Sequence, residues 1–241
     1  VGTYGIISIS IDSGKTWDTK ELLLYPTINQ TVLSPANNVF YIFDNGFCKM
    51  FRTFDSGKTW DTLSVYKNWW GKTPVIASDS DAQGAVTGAY FITPAVGWAL
   101  SLEFQKENLP GYTRYKVILQ TSDSGKTWTR RRSDYTGSSD LFNTVAFADA
   151  DNGMIGGYSG LSLFSGDAGF SWFEAERFAP YNNPSVMMAQ YKDPDVGMAV
   201  VGDLLGNNSI YRFRRSPLAV DELAGWGSNP YFWIETAPLP A

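Results

Sequence analysis

The run Gly-Lys-Thr occurs three times in this 241-residue chain, at Gly14–Thr16, Gly57–Thr59 and Gly125–Thr127. Such a run closes the loop that cradles phosphates in many nucleotide-binding proteins, where backbone N–H groups and the lysine hold the anion. That loop also needs a glycine five positions earlier, and Ile9, Arg52 and Gln120 stand there instead. It must further run from a strand into a helix. Here the apolar, β-prone runs "GIISIS", "FCKMFRTF" and "KVILQTS" lead in, and a Trp followed by short polar or β-prone residues leads out. The context is strand–turn–strand, so phosphate chemistry is set aside and the lysines read as solvated turn residues.

Two other sets of residues have the right types for chemistry. Asp149, Asp151, Asp193 and Asp195 recur in similar surroundings, and carboxylates roughly 6–10 Å apart across a cleft are what an inverting glycosidase requires. They sit in "DADNG" and "DPDVG", however, which are natural turn spellings. Arg52, Arg114 and Arg212 could grip an acidic sugar, but two lie on strand-like runs and Arg114 lies in an insertion. Histidine is absent, which removes Ser–His–Asp and Cys–His catalysis and His-ligated metals. Cys48 is the sole cysteine, so neither an intrachain disulfide nor a Cys-based zinc site can form, and it reads as a buried, inert thiol. No catalytic residue, cofactor site or metal site is assigned.

The elements that must position these residues follow from a repeat. The hexapeptide "DSGKTW" occurs at Asp12–Trp17, Asp55–Trp60 and Asp123–Trp128, and "DAGFSW" follows at Asp167–Trp172. The aspartates are 43, 68 and 44 residues apart. About 44 residues is the size of one four-stranded propeller blade. The long spacing is accounted for by insertions at Val65–Gln83 and at Glu103–Tyr115, the second reading as an extended hairpin loop. A second repeated feature is strand, turn, then Gly with Trp or Met, in "FITPAVGWALSL", "AFADADNGMIGG" and "QYKDPDVGMAVVG". We count five blade-equivalents: a partial one at the start, three complete ones, and a degenerate one in which "NNSIYRFRRS" is followed by no hexapeptide.

Turn chemistry explains the hexapeptide without a ligand. An Asp carboxylate accepts from backbone N–H groups further along the turn, Gly tolerates positive φ, and a preceding Ser or Thr adds a hydroxyl. The Trp then returns the chain to the sheet and buries a large ring. The four sets are Ser10, Asp12, Gly14, Trp17; Thr53, Asp55, Gly57, Trp60; Thr121, Asp123, Gly125, Trp128; and Ser165, Asp167, Gly169, Trp172. Their tryptophans are expected at equivalent places in successive blades.

This S/T-x-D-x-G-x-T-W pattern resembles the Asp-box, or bacterial neuraminidase repeat; the fourth copy departs only in Ser171. The resemblance implies an all-β propeller of four-stranded antiparallel blades over residues 1–241, with each box joining a blade's two outer strands. Five blade-equivalents of about 44 residues leave too little chain to close a seven-bladed ring, so a portion of a longer polypeptide, or an open or five-bladed ring, is expected. Sialidases of this family carry an Arg-Ile-Pro-like segment, which is missing, and xyloglucanases use two complete propellers. Sortilin-type receptors carry ten blades and a cysteine-rich module. The combination of "G-W/M-A-V-G" strands with these corners is most similar to the photosystem II assembly and stability factor type. That likeness implies a non-catalytic, extracytoplasmic scaffold for a protein partner in a larger complex. A carbohydrate-binding propeller or a glycosidase fragment is the alternative, with a glycan as possible ligand.

Bulk properties agree with a folded β protein. Apolar residues make up 44% and aromatics 15% of the chain, enough for a large core. The net charge of −5 argues against a nucleic-acid surface, since the clusters Arg130–Arg132 and Arg212, Arg214 and Arg215 are diluted by acidic or aromatic neighbours. No apolar run reaches the roughly 20 residues that span a bilayer as a helix. Insertions that a scaffold does not require are where function tends to reside. Trp69, Trp70, Tyr112 and Arg114 are therefore the expected partner contacts, being of the types that dominate interface energetics.

Overall fold

The computed structural model describes residues 6–10, 12–21, 28–33, 36, 38–44, 49–65, 83–106, 112–135, 141–174, 184–193, 195–202, 208–215 and 232–236. Every regular element among the described residues is a β-strand. The chain divides into two compact units, Val1–Tyr135 and Thr136–Ala241. In the first unit β1 (Ile6–Ile9) and β2 (Asp18–Glu21) form a hairpin. It is followed by a four-stranded sheet of β3 (Ile28–Leu33), β4 (Phe40–Asp44), β5 (Lys49–Thr53) and β6 (Asp61–Ser64). The third sheet holds β7 (Gln83–Phe91), β8 (Gly97–Lys106), β9 (Tyr112–Thr121) and β10 (Thr129–Tyr135).

The second unit holds two further sheets. One comprises β11 (Phe142–Phe147), β12 (Gly153–Gly157), β13 (Ser162–Ser165) and β14 (Phe173–Glu174). The other comprises β15 (Ser185–Asp193), β16 (Val196–Gly202), β17 (Asn208–Arg215) and β18 (Phe232–Thr236). Each sheet is an antiparallel meander in which sequence neighbours pair. Two details differ from the sequence reading. The last sheet is complete, because β18 pairs with β17 from Arg215↔Phe232 to Tyr211↔Thr236 although no hexapeptide links them. The Glu103–Tyr115 segment is mostly strand: β8 and β9 stay in register from Glu103↔Tyr115 out to Lys106↔Tyr112. Residues 66–82, with Trp69 and Trp70, lie outside the described residues, as does Cys48.

Four corners share one hydrogen-bond plan. The hydroxyls of Ser10, Thr53, Thr121 and Ser165 each accept from the glycine N–H four residues on, at 2.7–2.8 Å. Each hydroxyl also donates to the aspartate two residues on, at 2.7–2.9 Å. That carboxylate accepts the backbone N–H and the side-chain hydroxyl of Thr16, Thr59, Thr127 or Ser171. Positive φ is found at Gly14, Gly57, Gly125 and Gly169, and also at the residue before each, Ser13, Ser56, Ser124 and Ala168. Two consecutive left-handed residues are the pattern of the tight I′ hairpin turn, whose twist matches that of the strands. The sequence reading placed positive φ at the glycine alone.

A further bond ties the corner to the other repeated motif. The N–H of Ser56, Ser124 and Ala168 donates to the carbonyl of Asn38, Ala95 and Asp151, in the turn that precedes the second strand of the same sheet. Both turns thus lie at one end of the sheet and brace each other, which is why the two sequence features recur together. Within the first unit the corners also fill gaps left by the preceding sheet. A Cβ on Gly57 would lie 2.2 Å from Ile9 Cδ1, and one on Gly125 would lie 2.3 Å from Met50 Cε.

Alternation along the strands gives each four-stranded sheet two apolar faces. Ile42 and Phe51 pack against Ile7 of the hairpin, while Tyr41, Phe43 and Met50 cluster with Val86, Ala99, Val117 and Leu119 of the third sheet. The rings of Tyr41 and Phe91 stack with centroids 3.7 Å apart. In the second unit Ala146, Met154 and Phe164 pack against Ala199, Val201, Tyr211 and Phe213. Each fully buried large apolar side chain contributes about 1.5–3 kcal/mol.

Thr121 is buried, and its hydroxyl oxygen is the acceptor for the buried Gly125 N–H. Thr121→Val keeps the shape and leaves that donor without its partner, so the chain should lose about 1–3 kcal/mol of stability. Urea unfolding of the variant beside the parent chain measures this, and an unchanged midpoint would show that the hydroxyl clamp contributes nothing.

Candidate functional site

The four corner carboxylates are saturated by their own turns. Hydrogen bonds from Thr16 and Ser10 lower the Asp12 carboxyl to about 2. Bonds from Thr59 and Thr53 hold Asp55 well below the ordinary carboxylate range. At Asp123 and Asp167 partial burial pushes upward. The bonds from Thr127 and Thr121, or from Ser171 and Ser165, together outweigh it, and both carboxyls end up lowered. A general acid needs the opposite displacement, toward neutrality. These four aspartates are fixed anions whose lone pairs point into their own loops.

The other candidates are likewise engaged in structure. Asp149 accepts from the N–H groups of Asp151 and Asn152, and Asp193 accepts from the N–H of Asp195. Thr93 occupies the same place in the third sheet and accepts from Ala95 and Val96. These are turn caps. Arg52 is buried, pairs with Asp61 at 3.3 Å and donates to the Ser124 carbonyl at 2.7 Å. The basic cluster on β10 is divided among three partners: Arg130 with Glu103, Arg131 with Gln120 and Arg132 with Asp134. Glu103 is fully buried, at 2.6 Å from Arg130. The sequence placed it in a loop, and no local signal marks a pair whose members are 27 residues apart.

Two of the expected contact residues lie at the far end of the third sheet. Arg114 is exposed on β9, and Tyr112 begins that strand. Next to Arg114, Tyr115 is paired across the sheet with Tyr135 of β10. Their rings meet edge to face at 6.3 Å, and Tyr135 is 72% exposed. The sequence named Tyr112 and Arg114 and missed Tyr135, which closes "TRRRSDY", a run that reads as a solvated strand face. Only strand register brings it beside Tyr115. Trp69 and Trp70, the other expected contacts, are outside the described residues. The arrangement presents an exposed aromatic ring and an exposed guanidinium-bearing residue at one end of the sheet.

No protein-family model and no curated protein matches the chain. Solved structures do. "YCF48 bound to D1 peptide" aligns over 89% of this chain and 73% of its own, at 14% identity and a TM-score of 0.41. "YCF48 from Cyanidioschyzon merolae" aligns over 88% and 76%, at 13% identity and a TM-score of 0.43. U3-55K aligns over 89% and 82%, at 10% identity and a TM-score of 0.32. At such identities and scores these likenesses fix neither a ligand nor a partner for this chain.

The corner aspartates make stability depend on pH. Their folded-state values lie below the ordinary 3.8, so the stabilisation is fully present above about pH 4 and is lost as pH falls toward 2. The melting temperature should therefore hold steady from pH 7 to about pH 5 and fall steeply below pH 4. Calorimetry across that range tests this. In an Asp123→Asn variant the acid-side fall should be shallower; an identical slope would assign the acid sensitivity to other carboxylates.

Proposed function

We propose that this chain is a portion of an Asp-box β-propeller of the photosystem II assembly and stability factor type. On this reading it works outside the cytoplasm as a non-catalytic scaffold that holds a protein partner within a larger complex. The observation that carries the reading is the engagement of the acidic groups. The four corner carboxylates, Asp149, Asp193 and Glu103 are each bound to neighbours in their own sheet, as befits groups that shape turns and cores. Exposed Tyr135 and Arg114 supply the kind of surface that anchors a protein. The sheet behind them is a stiff base, with Val117, Ile118 and Leu119 fully buried.

A glycan ligand is the second reading, favoured by the exposed Tyr135 ring, because an amphipathic aromatic face can stack on a sugar. Co-purification from the native source should return a protein with the intact chain and lose it with the double variant Arg114→Ala, Tyr135→Ala, while circular dichroism stays unchanged. Undiminished recovery would place the contact elsewhere, on the Val65–Gln83 segment first. Glycan-array binding without a co-purified protein would favour the second reading. Turnover of sialosides or β-glucans, abolished by one Asp or Glu substitution, would overturn the non-catalytic assignment.

A further inference from the structure

The four clamped corners repeat residue for residue, so a change at an outward position of one corner is not dictated by the turn. Two positions of the fourth corner differ from the rest. The residue after the clamped glycine is Lys15, Lys58 and Lys126 in the first three corners, exposed each time, and Phe170 in the fourth. The residue after the tryptophan is Asp18, Asp61 and Thr129, again exposed, and Phe173 in the fourth. Both phenylalanines face solvent, Phe170 at 59% and Phe173 at 40% exposure.

The turn requires neither ring. The Phe170 N–H donates to the Asp167 carbonyl at 3.3 Å, as Lys58 donates to Asp55 at 3.5 Å and Lys126 to Asp123 at 3.4 Å. The hydroxyl clamp of Ser165 and Asp167 matches that of Thr121 and Asp123, whose corner carries the lysine. The buried ring of the fourth corner is Trp172, which meets Phe147 edge to face at 5.9 Å.

The charge of the sheet changes along with the rings. Residues 141–174, which hold the whole of the β11–β14 sheet, contain Asp149, Asp151, Asp167 and Glu174 and neither Lys nor Arg. By contrast, β5 alone carries Lys49 and Arg52, and β17 alone carries three arginines. Asp151 is exposed, and its carbonyl accepts the Ala168 N–H at 3.0 Å, which sets it beside the corner. Glu174 follows Phe173 on β14 and is exposed as well.

We propose that the corner of Phe170 and Phe173 docks a cationic, arginine-bearing segment of a protein partner. The two rings offer apolar area and π faces over which guanidinium groups lie, an attraction that grows as the contact is desolvated. Asp151 and Glu174 meet the remaining cations at the rim. No cation on this sheet repels such a segment, whereas each of the other three corners presents an exposed lysine to it. The exchange of Lys for Phe therefore separates one corner from its copies by repulsion as well as by attraction. The same carboxylates disfavour a nucleic acid, whose phosphates seek cations. This surface does not use Tyr135 or Arg114 and stands whether or not those residues bind.

Fluorescence anisotropy of the full chain with a fluorescein-labelled peptide of alternating arginine and leucine tests this, beside peptides in which serine or glutamate replaces arginine. Phe170→Lys installs the residue of the other three corners, and Phe173→Asp installs that of the first two. Both variants thus carry turn residues that this chain already folds, and circular dichroism verifies it. The arginine peptide should bind the parent chain, and the serine and glutamate peptides should not. Phe170→Lys should weaken binding by about tenfold or more. Phe173→Asp should weaken it too, although it adds a negative charge; an attraction by charge alone would tighten instead. No binding of the arginine peptide, equal binding of the serine peptide, or binding that either variant leaves unchanged or tightens would overturn the proposal. Self-association of the chain that Phe170→Lys abolishes would also overturn it, by assigning the corner to a second copy.

Discussion

The structure depends on one hydroxyl per corner. At Ser10, Thr53, Thr121 and Ser165 a single oxygen accepts the glycine N–H and at the same time donates to the aspartate, which then holds the next hydroxyl residue. Two consecutive left-handed residues are costly for an L side chain such as Ser or Ala, and local bonds must over-determine them. The clamp does this with groups fewer than five residues apart. The chain contains its own control. In the last sheet Phe213 stands where the hydroxyl residue would be, and its ring covers Gly197 and meets Tyr191. An apolar lid stands in place of the polar clamp, and β17 runs on to Arg215 and pairs there with Phe232 of β18.

The clamp is indifferent to its surroundings. Its bond lengths agree within about 0.2 Å between the exposed corner of Asp12 and the half-buried corner of Asp167. The tryptophan that ends each motif is the opposite. Its indole N–H reaches the glycine carbonyl at Trp17, Trp60 and Trp172, yet its ring ranges from 62% exposed at Trp17 to 7% at Trp172. The local turn is therefore self-sufficient, and the ring reports what the neighbouring sheet supplies. This separation of roles lets one short motif serve at several positions in the chain.

Much of the fold was legible because the motif is local and its spacing is regular. Strand order, the joining of third to fourth strands, and the turn-capping role of Asp149 and Asp193 all follow from residues close in sequence. What the sequence did not carry depends on pairing at a distance. Glu103 meets Arg130 across β9, and Tyr135 meets Tyr115 only through strand register. β18 follows a stretch with no repeat signal to announce it. Of the expected contact residues, Arg114 is exposed on β9, and Tyr112 opens that strand.

The same contrast explains where binding can reside. A position that must satisfy a clamp or fill a neighbouring sheet is constrained by the repeat, so its residue type says little about a partner. Tyr41, Trp98 and Met154 are equivalent and all buried, and their differing sizes reflect only the gaps they fill. Met198 holds the same place and is 53% exposed. Tyr115 packs against the core cluster of the second and third sheets, whereas Tyr135, its edge-to-face neighbour, is 72% exposed. Exposure at a position that the other sheets bury departs from the pattern of the repeat. Where the clamp or a neighbouring sheet claims a position, its side chain is already committed to folding.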